Sequence, residues 1–211
     1  MRYDVIIVGG GVAGLSCALT LGSMKGHFEW VENKKFLVID NNSSDLLKAL
    51  LNNVPGIQKG TLGRDAIKSL REQAKSYGNV DIIFGRVVEV FGKKGNFTVH
   101  LEDGSSFQSD YVVIATGFHK FDIKCDGIEV VDNLKSPRPG KVQVMVDSES
   151  RAKDGLYVAG LLAGVSTMYA CAAGSGVQVA CNIMAEYVGK NVVVHDVPEE
   201  RHSEELNREE V

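Results

Sequence analysis

With 211 residues and 44% hydrophobic content, the chain can bury the core of one domain, or of one domain plus a tail. A formal net charge of −4 gives no pull toward nucleic acid or an anionic membrane, and no apolar run is long enough to span a bilayer. The four cysteines (Cys17, Cys125, Cys171 and Cys181) form no Cys-x-x-Cys and no Cys/His cluster with zinc spacing, so no metal is expected and a reduced, cytoplasmic setting is the default.

The first element is an apolar strand over residues 3–8, with no basic leader or small-residue cleavage pattern, so it reads as structure and not as a signal peptide. It runs straight into Gly9-x-Gly11-x-x-Gly14 and then a helix over about 12–24. In a strand–loop–helix setting these glycines permit a tight turn, close backbone approach to a pyrophosphate, and close packing of helix on strand. The phosphates then sit at the helix N-terminus, where N–H groups and the dipole favour negative charge. Residues 25–35 read as an inserted loop, in which Trp30 carries no signal of its own.

Residues 36–40 are a continuous apolar run ending in Asp40, the pattern of a parallel strand buried on both faces. An acid at the end of the second strand accepts hydrogen bonds from a ribose 2′-OH and repels a 2′-phosphate. A loop over 52–57 precedes a helix over 62–77, with apolar residues at Leu62, Ala66, Ile67, Leu70 and Ala74. Strands follow over 80–84 and 86–91, with 97–101 as hairpin partner and Gly104 in the next turn. Residues 110–117 form another buried strand ending in Ala115-Thr116-Gly117.

From 118 to about 140 the pattern dissolves into a loop or crossover marked by Pro137, Pro139 and Gly140. Strands over 142–146 and 156–159 precede a long helix over 166–188, rich in small residues. Residues 196–211 carry seven acids against two arginines, which leaves the rest of the chain at +1. The segment 191–211 therefore reads as an acidic, flexible tail. The architecture expected is α/β and Rossmann-like, with a central parallel sheet and a small antiparallel meander from about 86 to 101.

Several separated motifs agree on a family. They are the Gly9–Gly14 loop, Asn53-Val-Pro-Gly56, Leu70-Arg-Glu-Gln-Ala74, Ala115-Thr-Gly117, Gly155-Leu-Tyr-Val-Ala-Gly160 and Ala170-Cys-Ala-Ala-Gly-Ser-Gly176. Over roughly residues 1–190 the chain resembles the flavin domain of the thioredoxin reductase-like, pyridine nucleotide–disulfide oxidoreductases. The resemblance implies a single FAD-binding domain. Its pyrophosphate would lie on Gly9, Gly11 and Gly14 and its ribose on Asp40. Asn53 would stand near the flavin and Val87 at the adenine. Ala115, Thr116, Gly117 and Gly160 would pass close to the cofactor, with Tyr169 and Ala170 at the pyrimidine edge. It also implies a homodimer, as relatives commonly form.

Three departures matter. The family inserts a second nucleotide domain after Ala-Thr-Gly, but only residues 118–154 stand there, without a second glycine fingerprint. The redox Cys-x-x-Cys is absent. The family follows its late Ala-x-Gly with an Asp that binds the ribityl chain, where this chain has Leu161. A lost charge-assisted hydrogen bond is worth about 1.5–3 kcal/mol, or about ten- to a hundredfold in affinity.

The resemblance thus implies an FAD-dependent oxidoreductase without its NAD(P)H domain, reduced by diffusible NAD(P)H or a separate partner protein. The alternatives are a flavin- or nucleotide-binding module with little turnover alone, and a site that holds NAD instead of FAD. Cys171 is the one candidate redox thiol, from its place early in the last helix, with a packing role as the plainer reading. His119 and Lys120, directly after Ala-Thr-Gly, read as surface loop residues before substrate-facing ones.

Overall fold

The computed structural model describes residues 1–136 and 138–192. Its central strand is β1 (Arg2–Val8), with Val5, Ile6 and Ile7 fully buried because both faces of the sheet are covered. The glycine loop leads into α1 (Val12–Gly22), and β2 (Phe36–Asp40) returns parallel to β1 with Ile7 opposite Val38. A short 3-10 turn, Asp45–Lys48, precedes the small antiparallel pair β3 (Leu50–Leu51) and β4 (Thr61–Leu62). Helix α2 (Gly63–Ser76) then crosses to β5 (Val80–Phe84), which pairs parallel with β2.

The antiparallel pair β6 (Val87–Lys93) and β7 (Asn96–Leu101) leads into β8 (Ser106–Ile114). Strand β8 has two partners in succession. Residues 106–109 pair antiparallel with β7, and residues 108–114 pair parallel with β1. Next come the antiparallel pair β9 (Val130–Asp132) and β10 (Val142–Val144), then the edge strand β11 (Arg151–Lys153) and β12 (Leu156–Val158). The main sheet runs β11-β12-β8-β1-β2-β5, parallel from β12 to β5. The last helix is α3 (Tyr169–Val188).

The molecule is therefore an α/β, Rossmann-like fold with small antiparallel sheets. One core packs α1 and α3 onto Val5, Ile7, Val38 and Val113. The other packs β6, β7 and β10 onto Ile6, Val8, Leu37 and Val112. The helices approach closely because position 176 has no side chain, since a Cβ there would fall 2.0 Å from the Ala13 carbonyl oxygen. Among the described residues no helix is long and apolar enough to cross a membrane.

Several segments differ from expectation, among them the short strands β3, β4 and β11, which stand where no strand is expected. The stretch read as loop from 118 to 140 contains β9, which pairs back on β10. The last helix starts at Tyr169 and not at 166, because Met168 is extended (φ −128°, ψ 143°). The inserted loop holds a 3-10 turn with Val31 fully buried, and Trp30 stacks on Tyr187 at 5.3 Å. The acidic tail lies outside the described residues from 193 onward.

Candidate functional site

Where the parallel strands end, their loops open into a cavity of about 320 Å³. It lies over the carboxyl ends of β1, β2, β8 and β12, the crevice position at which open α/β sheets take ligands. The glycine loop forms its floor. At Gly9 φ is +118°, and a Cβ would fall 2.3 Å from the Ala115 carbonyl oxygen. At Gly10 a Cβ would fall 2.3 Å from Asp40 Cγ. These two glycines let the turn nest between β8 and β2.

Gly11 is different. Its φ is −80°, and a Cβ would meet nothing closer than Ser44 Oγ at 3.4 Å. The protein itself therefore does not require glycine there. The position lines the cavity as the N-cap of α1, with no side chain capping the helix. Backbone N–H groups, a positive helix end and no obstructing side chain are the features with which a helix N-terminus can hold an anion. A second helix end meets the same cavity. Thr167, Met168 and Tyr169 line it, and Met168 caps α3 without a side-chain hydrogen bond.

Asp40 lies in the wall and is only 2% exposed. Its Oδ1 accepts from Gly10 N at 3.3 Å and Asn42 N at 2.9 Å, and its Oδ2 is ion-paired with Arg71. Three of a carboxylate's roughly four acceptor positions are thus taken, leaving one for a sugar hydroxyl. Because Arg71 compensates its charge, Asp40 does not stand as the bare repulsive acid that the strand pattern alone suggests.

The rim is charged. Asp122 accepts from Lys120 and from Arg86, each at 2.6 Å. The Lys120 hydrogen bond leads in holding the Asp122 carboxyl below the usual range, against partial burial and with help from Arg86. His119 Nε2 lies 2.6 Å from Asp45 Oδ2, and Lys141 Nζ lies 2.5 Å from His119 Nδ1. An ammonium group can only donate, so Nδ1 accepts and the ring proton on Nε2 is given to Asp45.

Of the residues expected at the site, Gly9, Gly11, Asp40 and Val87 line the cavity. So do Ala115, Thr116, Gly117, Gly160 and Tyr169. Gly14 lies beneath the loop, where a Cβ would fall 1.9 Å from the Gly9 carbonyl oxygen, so its place in the motif is one of packing. Asn53, Ala170 and Cys171 are exposed and outside the cavity wall. All four cysteines are free, and burial pushes the Cys17 thiol up, away from reactivity.

Sequence reasoning passed over Gly10, Asp45, Arg86 and Asp122, and ranked His119 and Lys120 as surface residues, yet all six line the cavity. The run of three successive glycines was the signal for Gly10. Asp45 and His119 are 74 residues apart, and nothing local marks them as a pair.

Comparison with known proteins agrees with this geometry. Residues 3–154 match the family described as pyridine nucleotide-disulphide oxidoreductase. The thioredoxin reductase of Aquifex aeolicus is 30% identical over 118 residues, covering 54% of this chain and 34% of that protein. A ferredoxin–NADP reductase of Leuconostoc mesenteroides is 34% identical over 133 residues, covering 63% of this chain and 39% of that protein. The chain thus spans well under half the length of these curated relatives. Among solved structures, a thioredoxin reductase from Gloeobacter violaceus superposes with a TM-score of 0.75 at 15% identity, covering 93% of this chain and 99% of that one. An oxidoreductase from Agrobacterium tumefaciens gives 0.74 at 15% identity, covering 90% and 100%. At that identity the structures speak for the fold, while the sequence match over most of the chain carries the family. The chain belongs to the pyridine nucleotide-disulphide oxidoreductase family.

Proposed function

We propose that this chain binds FAD in the cavity and acts as an oxidoreductase whose electrons come from diffusible NAD(P)H or from a separate partner protein. The observation that carries the reading is the pair of uncapped helix N-termini, α1 and α3, opening on one cavity beside a Gly11 that the protein's own packing does not require. The residues present fit the cofactor. Gly9 to Gly11 would hold the pyrophosphate, Asp40 would take a ribose hydroxyl with its remaining acceptor, and Val87 would flank the adenine. The N-terminus of α3 would stabilise negative charge at the pyrimidine edge of the ring. When bound, FAD supplies the redox chemistry by taking up and passing on two electrons.

The segment between Gly117 and Leu156 supports a domain without its own nicotinamide site. Its described residues form β9, β10 and β11 but no helix, whereas a βαβ unit needs a crossover helix and about 30 residues. The four free thiols, none spaced as Cys-x-x-Cys, speak against dithiol exchange. A hydride donor would then dock on an exposed ring face.

The test is the visible absorption spectrum of the protein mixed with FAD, before and after anaerobic NADH. Bound-flavin bands that bleach within seconds are expected. Bands that stay would favour a second reading, a flavin-binding subunit that works only with a partner reductase, for which Leu161 in place of an acid is the specific support. A protein that binds no FAD at all overturns both. Light scattering on the same sample checks the homodimer.

A further inference from the structure

Leu161 lines the cavity where the resemblance implies an acid for the sugar-alcohol link between flavin and phosphate, and the cavity offers other acceptors. Three carboxylates line it: Asp40, Asp45 and Asp122. Asp40 is committed to Gly10, Asn42 and Arg71, and Asp122 is held between Arg86 and Lys120. The last acceptor position of Asp40 is the one assigned to the ribose, Asp122 carries two cations on its Oδ2, and Asp45, held by His119 alone among the described residues, is the least engaged of the three. Its Oδ2 takes the His119 hydrogen bond, and its Oδ1 has no partner among the described residues.

Its position suits that link. On one side, Ser44 Oγ is the closest atom to where a Gly11 side chain would begin, at the phosphate end. On the other, Leu46 packs in the same apolar cluster as Tyr169, at the first turn of α3. Asp45 therefore lies between the phosphate end and the ring end of the cavity. The bond to His119 ties the segment after β2 to the loop after β8, two strands that flank β1 in the sheet, and Leu161 lines the same cavity.

His119 is itself fixed. Lys141 Nζ donates to its Nδ1 at 2.5 Å, and Val142 N donates to the Phe118 carbonyl at 2.8 Å. The imidazole so held can present only its Nε2 proton to Asp45.

We propose that Asp45 supplies the carboxylate acceptor for the polyol link of a flavin dinucleotide, in place of the acid missing at Leu161, with His119 as its positioning residue. The proposal rests on the FAD reading above. It separates ligands by what they carry: FAD has the polyol, and ADP has the same adenosine and phosphates without it.

The test is a set of dissociation constants, FAD by quenching of flavin fluorescence and ADP by calorimetry. In Asp45→Asn, FAD is expected to bind about tenfold more weakly or worse, with ADP unchanged within about twofold. Retained ADP binding reports that the variant is folded. Adding Leu161→Asp to Asp45→Asn is expected to recover the FAD affinity. His119→Gln, which keeps an amide donor toward Asp45, should retain more FAD affinity than His119→Ala. Unchanged FAD binding in Asp45→Asn, or an equal loss for both ligands, overturns the proposal. A wild-type protein that binds ADP but not FAD overturns the flavin reading and the proposal with it, whereas one that binds neither overturns the dinucleotide site itself.

Discussion

Gly11 and Gly14 belong to one motif and lack side chains for different reasons. Gly14 is packed against the Gly9 carbonyl, so Gly14→Ala must push backbone apart, at about 1–3 kcal/mol as for other overpacked sites. Gly11 has room for a methyl group and an ordinary φ, and as an N-cap its change to alanine costs about 1 kcal/mol. Gly14→Ala should therefore lower the melting temperature by roughly 3–10 °C. Gly11→Ala should melt within a few degrees of the parent and lose ADP affinity more than tenfold. Parallel melts and ADP titrations check this, and an unstable Gly11→Ala with intact nucleotide binding would reverse the assignment. The separate duties of the glycines were legible in the motif, and the coordinates add the distances that tell the open Gly11 from the packed Gly14. Asp40 was likewise legible as the acid ending a strand, while its pairing with Arg71 was not, since a helix-face arginine 31 positions on looks like any solvated charge.

Among elements, the parallel strands were the most legible, since burial on both faces gives β2 an unbroken apolar run and the edge strand β5 keeps most of one around Asp81. The pattern predicts β2 and β5 to the residue. The strands it passes over are β3, β4, β9 and β11, elements of two or three residues outside the parallel core, too short for a pattern and in β11 open to charged residues, as in Arg151-Ala-Lys153. The far end of α3 shows how such margins are secured. Glu186 accepts from Lys94 in the β6–β7 turn and from Tyr157 of β12, and it lies 3.5 Å from Arg151 of β11. Partial burial alone would raise the Glu186 carboxyl, but the hydrogen bonds from Lys94, Tyr157 and Tyr111 outweigh it and hold it below the usual range. A carboxyl depressed by folding contributes stability that is complete above its unfolded value, about 4.3, and is lost as pH falls through the folded one. Glu186→Gln should thus be less stable than the parent at pH 7, with the gap closing toward pH 3. Denaturant melts across that range would show a constant gap if the carboxylate's charge were irrelevant.

At the scale of the whole molecule, the layers divide labour. Helices cover one face, a β layer covers the other, and every residue proposed to touch a ligand lines the one crevice at the carboxyl ends of the parallel strands. A ligand bound there ties together the loops after β1, β2, β8 and β12, and so stabilises the folded state as a unit. At a hundredfold excess over its dissociation constant, FAD should add about 2.7 kcal/mol, or several degrees in melting temperature. A thermal shift that saturates with FAD checks this, and no shift at millimolar FAD would argue against the site.

The double pairing of β8 also bears on the order in which the chain assembles. Its contacts with β7 join near neighbours in sequence, such as Val99 and Phe107, whereas its contacts with β1 join residues more than a hundred positions apart, such as Val5 and Tyr111. Closing the short loop costs far less chain entropy, so the hairpin of β7 and β8 can form early and present β8 as a template edge for the distant strands. Val99 of β7 and Val158 of β12 are both fully buried in the same core cluster, yet they should act on opposite limbs of a chevron plot. Truncating Val99 to alanine should mainly slow refolding, and truncating Val158 should mainly speed unfolding. The strand that flanks the cavity would then also be the one that sets the pace of folding.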